Sequence, residues 1–185
     1  MKNLFAFVLG CLVIATTISG AVAADELYRI GPGDVLEISV WKDEELSRQV
    51  VVPPDGFVSF PLVESINVNN LTVAGLRNTL AKKLSEYIPD ATVTVMLMEI
   101  NSLKAYVIGK VNAPGEFPIK LDTNVMQILA MAGGLTPFAS KGNIQILRQN
   151  KDSIVKIPFD YGDLEKGRNL EQNIILKAGD VIVVP

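Results

Sequence analysis

Apolar and polar positions alternate along residues 36–40, which predicts a β-strand with one buried face. Two further strand-like runs, 49–52 and 57–60, flank the sequence Pro53-Pro54-Asp55-Gly56. These turn residues predict that the two runs form a β-hairpin. Residues 92–100 are predicted to form a longer strand, so the first half of the chain is predicted to be rich in β-structure.

One segment of this first half changes to a helical period. Apolar residues recur three or four positions apart, which predicts an amphipathic helix whose inward face carries Val73, Leu76, Leu80, Leu84 and Tyr87. Thr72 is a candidate N-terminal cap, and Pro89 is expected to stop the helix.

The second half predicts a hairpin, then a short helix, then more strands. Residues 105–108 and 116–119 are the hairpin strands, and Pro114-Gly115 between them suits the central positions of a type II turn. The helix is expected to begin after cap candidates at 122–124 and to end at Gly133-Gly134. The later strands are predicted at 144–147, 154–157, 174–176 and 181–184.

This order of elements is typical of a β-grasp-like module, so the fold class is predicted to be α+β with two small modules. The predicted boundaries are residues 25–100 for the first module and 101–185 for the second, with a short junction at 101–104. Each module also carries a Gly-Asp turn directly before a strand, at Gly31-Pro32-Gly33-Asp34 and at Gly179-Asp180. The aspartates are interpreted as turn caps, and Gly33 and Gly179 as residues that tolerate positive φ.

The N-terminus decides the predicted compartment. Lys2 precedes an apolar run, and Ala21-Val22-Ala23 provides the small residues of a cleavage site, so residues 1–24 are predicted to be a secretory signal peptide. An uncleaved membrane anchor and lipidation at Cys11 are the less favoured alternatives.

Composition narrows the possible functions. The formal net charge is −3, and removal of Lys2 with the signal peptide would make it more negative, the opposite of a nucleic-acid binder. The chain has no histidine, so the commonest general base and metal ligand is missing. Cys11 is its one cysteine, so the predicted mature protein has no cysteine nucleophile either. We therefore expect no catalytic, cofactor or metal residues.

An enzyme remains an alternative to weigh, because glycan cleavage can use two carboxylates. The candidates form two clusters in segments interpreted as exposed polar loops: Asp43, Glu44 and Glu45, and Asp160, Asp163 and Glu165. Exposed carboxylates lack the burial that raises the pKa of a catalytic acid, so these clusters are interpreted as solvated charge.

Three aromatic residues are candidates for contact with a glycan or with another subunit: Tyr28, Trp41 and Phe57. For Trp41 a packing role in the core is the preferred interpretation. Phe57 and Phe60 fall on opposite faces of one short strand, so one of the two is expected to be exposed.

Four segments together resemble a known family. Residues 28–36 and 52–62 resemble the N-terminal domain of the outer-membrane polysaccharide export proteins, and residues 106–117 and 128–134 are similar to the soluble-ligand-binding β-grasp (SLBB) module that follows it. The resemblance implies a periplasmic, ring-forming, non-enzymatic component of capsule or exopolysaccharide export. It also implies polysaccharide as cargo and an inner-membrane chain-length regulator or co-polymerase as partner. A monomeric periplasmic glycan-binding or adaptor protein is the alternative.

The sequence departs from the larger family members after residues 181–184, where those members continue into further SLBB modules and a membrane-crossing amphipathic helix. The expectation is a short form that associates with the outer membrane and relies on a separate outer-membrane β-barrel.

Overall fold

The computed structural model describes residues 28–150 and 153–185; the predicted signal peptide and Cys11 lie outside them. Within these residues the strands are β1 (Val35–Val40), β2 (Asp43–Val51), β3 (Phe57–Phe60), β4 (Val63–Asn67), β5 (Val93–Glu99), β6 (Lys104–Gly109), β7 (Gly115–Pro118), β8 (Ile144–Asn150), β9 (Ser153–Phe159) and β10 (Val181–Val184). The helices are α1 (Val73–Leu84), α2 (Val125–Met131), α3 (Tyr161–Glu165) and a 3-10 turn at Leu170–Gln172. The predicted α+β class is confirmed.

The N-terminal module combines an antiparallel sheet in the order β2-β1-β5 with a separate β3-β4 hairpin and helix α1. Alternate residues of β1 point inward, and Leu36 and Ile38 are fully buried. Leu76, Leu80 and Leu84 on one face of α1 pack into the same core. The open face of the sheet, on the side away from α1, carries the remaining residues of each strand.

The predicted hairpin across Pro53-Pro54-Asp55-Gly56 is wrong. The turn itself forms, since the Gly56 amide donates to the Pro53 carbonyl at 2.9 Å and Gly56 has a φ of 74°. However, β2 pairs with β1, and β3 pairs with β4. A turn sequence specifies a change of direction, but the pairing partner depends on which buried faces meet in the core.

Helix α1 ends earlier than its apolar pattern predicts. Thr72 caps its start by accepting the Gly75 amide at 3.0 Å, but the helix ends at Leu84 and is capped by Ser85. Pro89 lies beyond this end, and Tyr87 is 59% exposed outside the helix. Tyr87 was therefore wrongly assigned to the apolar face.

The C-terminal module has one sheet in the order β7-β6-β10-β8-β9, in which β6 and β10 are parallel and the other pairs are antiparallel. Helix α2 follows the β6-β7 hairpin and covers one face with buried Val125, Ile128 and Leu129. Hairpin, crossing helix and central parallel pair form a β-grasp arrangement. Residues 174–176, predicted as a strand, contribute only an isolated bridge between Asn124 and Ile175.

The ends of α2 are fixed by its sequence. Asn124 and Gln127 form a reciprocal capping box at the start. At the end, the Gly133 amide donates to Ala130 and the Gly134 amide to Leu129, both glycines with positive φ, as in a Schellman motif.

The predicted type II turn at Pro114-Gly115 is wrong. Gly115 does not take a positive φ and begins β7, so it does not occupy the central turn position that requires glycine.

The two modules have separate hydrophobic cores. The N-terminal core extends from Ile30 to Val95, and the C-terminal core begins at Ala105. Among the described residues, no helix has both the length and the apolar character needed to cross a membrane.

Candidate functional site

A buried aspartate ties the first module to the junction. In Gly31-Pro32-Gly33-Asp34 the Asp34 amide donates to the Gly31 carbonyl at 3.3 Å, and Gly33 has a φ of 91°, the geometry of a type II turn. The Asp34 carboxylate is fully buried and accepts the Gly31 amide at 2.9 Å across this turn.

The same carboxylate reaches the segment that leads into the second module. Its Oδ1 accepts the backbone amides of Asn101 and Ser102, each at 3.0 Å, and the Asn101 side chain donates to the Gly33 carbonyl at 3.1 Å. Gly31 is in close contact with Ser102, since a Cβ atom on Gly31 would lie 2.7 Å from the Ser102 Cβ. Asp34 therefore holds the turn and the junction together; its interpretation as a turn cap alone was incomplete.

Tyr28 completes this group, which we call the junction clamp: Tyr28, Gly31, Asp34, Asn101 and Ser102. The Tyr28 hydroxyl donates to Asp34 Oδ2 and lies 2.9 Å from Ser102 Oγ. Burial, and after it the hydrogen bond to the Asp34 carboxylate, raises the pKa of the Tyr28 hydroxyl well above its usual value. The Tyr28 hydroxyl is therefore engaged inside the protein, although the residue was a candidate for glycan or subunit contact.

The second Gly-Asp turn repeats the first. The Asp180 amide donates to the Lys177 carbonyl at 3.1 Å, its carboxylate accepts the Lys177 amide at 2.8 Å, and Gly179 has a φ of 83°. The buried Asp180 carboxylate also receives two hydrogen bonds from Arg148, at 2.9 and 2.7 Å. This carboxylate ties β8 to the turn before β10, whereas Asp34 binds neutral donors at the junction.

The predicted packing role of Trp41 in the core is wrong. It lies in the tight turn between β1 and β2, and its side chain is 73% exposed. Its backbone amide donates a hydrogen bond to the Thr92 carbonyl at 2.9 Å. Of the pair Phe57 and Phe60, Phe57 is exposed and Phe60 is buried. The Trp41 and Phe57 side chains are therefore exposed to contacts from outside the chain.

The first carboxylate cluster was expected in an exposed loop, and that prediction is wrong because the cluster lies in a strand. Asp43, Glu44 and Glu45 open β2, where Asp43 Oδ1 accepts the Leu46 amide at 3.3 Å.

The second carboxylate cluster lies at α3, which the sequence did not predict. Asp160 caps the helix through the Asp163 amide at 3.0 Å, Asp163 pairs with Arg168 at 2.7 Å, and Glu165 pairs with Lys141 at 3.1 Å. These carboxylates stabilise local structure. Within residues 28–150 and 153–185 no three potential ligands are grouped to hold a metal ion.

A cavity of about 420 Å³ opens between the modules beside the junction clamp. Its lining is mostly apolar with a charged edge and consists of Tyr28, Leu97, Ile100, Leu103, Ile119, Lys120, Leu121 and Asp122. The charged residues of this lining are Lys120 and Asp122, and the Tyr28 hydroxyl is already engaged in the junction clamp.

Comparison with known families matches both modules. The family model described as "Polysaccharide biosynthesis/export protein" matches residues 22–98, and the SLBB domain model matches residues 104–158.

Relatives carry related names. The EPS I polysaccharide export outer membrane protein EpsA of Ralstonia nicotianae is 27% identical over 182 residues, covering 85% of this chain and 47% of that protein. The capsule polysaccharide export protein BexD of Haemophilus influenzae is 25% identical over 173 residues, covering 83% and 42%. The polysialic acid transport protein KpsD of Escherichia coli is 26% identical over 111 residues, covering 60% and 20%.

The chain spans about half the length, or less, of these curated relatives. The two family models follow one another in the order in which the two modules follow in the fold. This chain therefore carries the domains of the polysaccharide biosynthesis/export proteins, an export domain followed by an SLBB domain.

Proposed function

We propose that the protein is a ring-forming periplasmic component of a capsule or exopolysaccharide export machinery, associated with the outer membrane. It conducts finished polysaccharide toward that membrane and performs no chemical step. Its family and the export functions named for its relatives support a role in polysaccharide export and a periplasmic or outer-membrane location.

The observation that carries the proposal is the junction clamp. A closed ring is built from identical subunits, so every subunit has to hold its two modules in the same arrangement. Asp34 and Tyr28 hold the start of the export domain against Asn101 and Ser102, directly before the SLBB domain. This buried network favours a fixed angle between the modules. A fixed angle is what a repeated subunit of a closed ring needs.

Mass in solution tests the assembly step. The purified protein should form a closed oligomer of defined mass in sedimentation velocity or native mass spectrometry, independent of concentration above a threshold. A monomer at every concentration would contradict the ring and favour the alternative, a monomeric glycan-binding or adaptor protein.

Deletion of the gene tests the export step. Surface polysaccharide should be lost while polymer accumulates inside the cell, because synthesis does not need a conduit. Loss of the polymer itself would point to a biosynthetic role. The chain-length regulator and the outer-membrane β-barrel partner stay predictions, and co-purification after crosslinking tests both.

A further inference from the structure

The open face of the β2-β1-β5 sheet is apolar at positions where a solvated face would be polar. Val51 on β2 is 60% exposed, and Met96 and Met98 on β5 are 45% and 49% exposed. The register aligns Val51 with Val35 on β1 and Met96 with Glu37, so the apolar side chains form one patch across the three strands. Contiguous exposed apolar surface of this kind marks interaction sites.

The charge on this face is acidic. Glu37 lies in the middle of the sheet between Gln49 and Met96, and Glu99 lies opposite Val35 at the edge. Glu37 forms no ion pair among the described residues. A carboxylate within an apolar patch is costly to cover unless the covering surface brings a cation.

The opposite side of the same module is basic. Helix α1 buries its leucines against the sheet, so its other face points to solvent and carries Arg77, Lys82 and Lys83. The helix contains no acidic residue. Neither lysine side chain enters an ion pair within residues 28–150 and 153–185. The aliphatic stems of such side chains can cover methionines while their charged ends reach carboxylates.

We infer that the acidic, apolar sheet face of one copy packs against the basic face of α1 of the next copy. The occupant is a second copy because the two faces are complementary in charge and lie on opposite sides of one domain. Two different faces on opposite sides give a head-to-tail contact, which closes into a ring when the rotation allows. This inference rests on the proposed function and names the subunit contact within it.

A charge-exchange series tests the contact. Glu37→Lys alone, and Lys82→Glu with Lys83→Glu, should each raise the protein concentration needed for half-assembly by about tenfold or more, because like charges then meet at every contact. Combining all three substitutions in one chain should restore assembly, since each contact again joins opposite charges. Glu64→Lys, an exposed substitution on β4, is the matched control and should assemble as the unaltered protein does.

The outcomes separate this contact from the ring itself. If the unaltered protein is monomeric, the ring is wrong and this contact falls with it. Should the unaltered protein assemble and both charge variants assemble equally well, the ring stands and this contact is wrong. Disruption by both variants without recovery in the triple variant would also overturn the pairing of these two faces. If Glu37→Lys does not fold, the variant with Lys82→Glu and Lys83→Glu still tests the contact. Both lysines are exposed in the folded protein, so we expect this variant to fold.

Discussion

Substitution of Asp34 should lower the stability of the protein, because one side chain joins several segments. Its carboxylate satisfies donors from the turn, the junction and Tyr28 at once, so replacing one oxygen by an amide places a donor among donors. We expect Asp34→Asn to lower the free energy of unfolding by about 2–4 kcal/mol, measured by chemical denaturation.

The matched control is Asp55→Asn, which changes an exposed turn aspartate whose side chain accepts the Phe57 amide at 3.0 Å. It should cost less than about 1 kcal/mol. Amide exchange at Asn101 and Ser102 should accelerate in Asp34→Asn alone. Equal stability of the two variants would show that the junction clamp contributes little.

Because the pKa of the Tyr28 hydroxyl is raised in the folded protein, we expect the protein to lose stability at alkaline pH. The folded protein holds the phenolic proton more tightly than the unfolded chain does, so this contribution is complete below about pH 10 and is lost as pH rises through and above that value. The unfolding free energy should therefore fall more steeply above pH 10 in the unaltered protein than in Tyr28→Phe.

Tyr28→Phe should also cost about 1–3 kcal/mol at neutral pH, because Asp34 and Ser102 lose a partner. The other tyrosines are common to both proteins, so the difference between the two pH profiles isolates Tyr28. Parallel profiles above pH 10 would contradict the buried hydrogen bond.

At the scale of elements, two glycines that look alike in sequence should behave differently. Gly33 has a φ of 91° in its turn, so Gly33→Val should cost about 1–3 kcal/mol of backbone strain. Gly115 begins β7 without positive φ, and nothing lies within 4 Å of an added Cβ atom. Gly115→Val should therefore leave the thermal midpoint nearly unchanged, and equal losses in both variants would contradict the turn geometry.

Local sequence predicted the elements better than their partners. The period of β1 and the N-terminal caps of α1 and α2 depend on neighbouring residues, and all three could be predicted. The partner of β2 depends on which apolar faces meet in the core. The turn at 53–56 therefore predicted the wrong pairing, of β2 with β3. The bonds from Asp34 to Asn101 and Ser102 join residues far apart in the chain and left no local signal.

Exposure was also hard to predict. Trp41 follows three buried alternate positions, so its size favoured a core role, yet the chain reverses at that residue and leaves the ring outside. The family resemblance identified both domains, and the family-model matches at residues 22–98 and 104–158 confirm that both are present.

At the scale of the whole molecule, a non-enzymatic role predicts that export tolerates loss of the acidic clusters. Single alanine substitutions should leave surface polysaccharide unchanged in a complementation assay, at Asp43, Glu44, Glu45, Asp160, Asp163 and Glu165. Asp160→Ala should still cost about 1 kcal/mol of stability, because it removes the cap of α3. A variant that folds normally but abolishes export would bring a chemical step back into consideration.

The position of β10 has a consequence for biogenesis. It lies between β6 and β8 in the SLBB sheet although it follows both in the chain, and Ile182 and Val184 complete the core. During synthesis the export domain therefore has all its strands while the SLBB sheet still has a gap at its centre. The edges of β6 and β8 remain unpaired until residues 181–184 emerge, and unpaired edges recruit other strands. Chaperone binding to the nascent protein should concentrate on this domain.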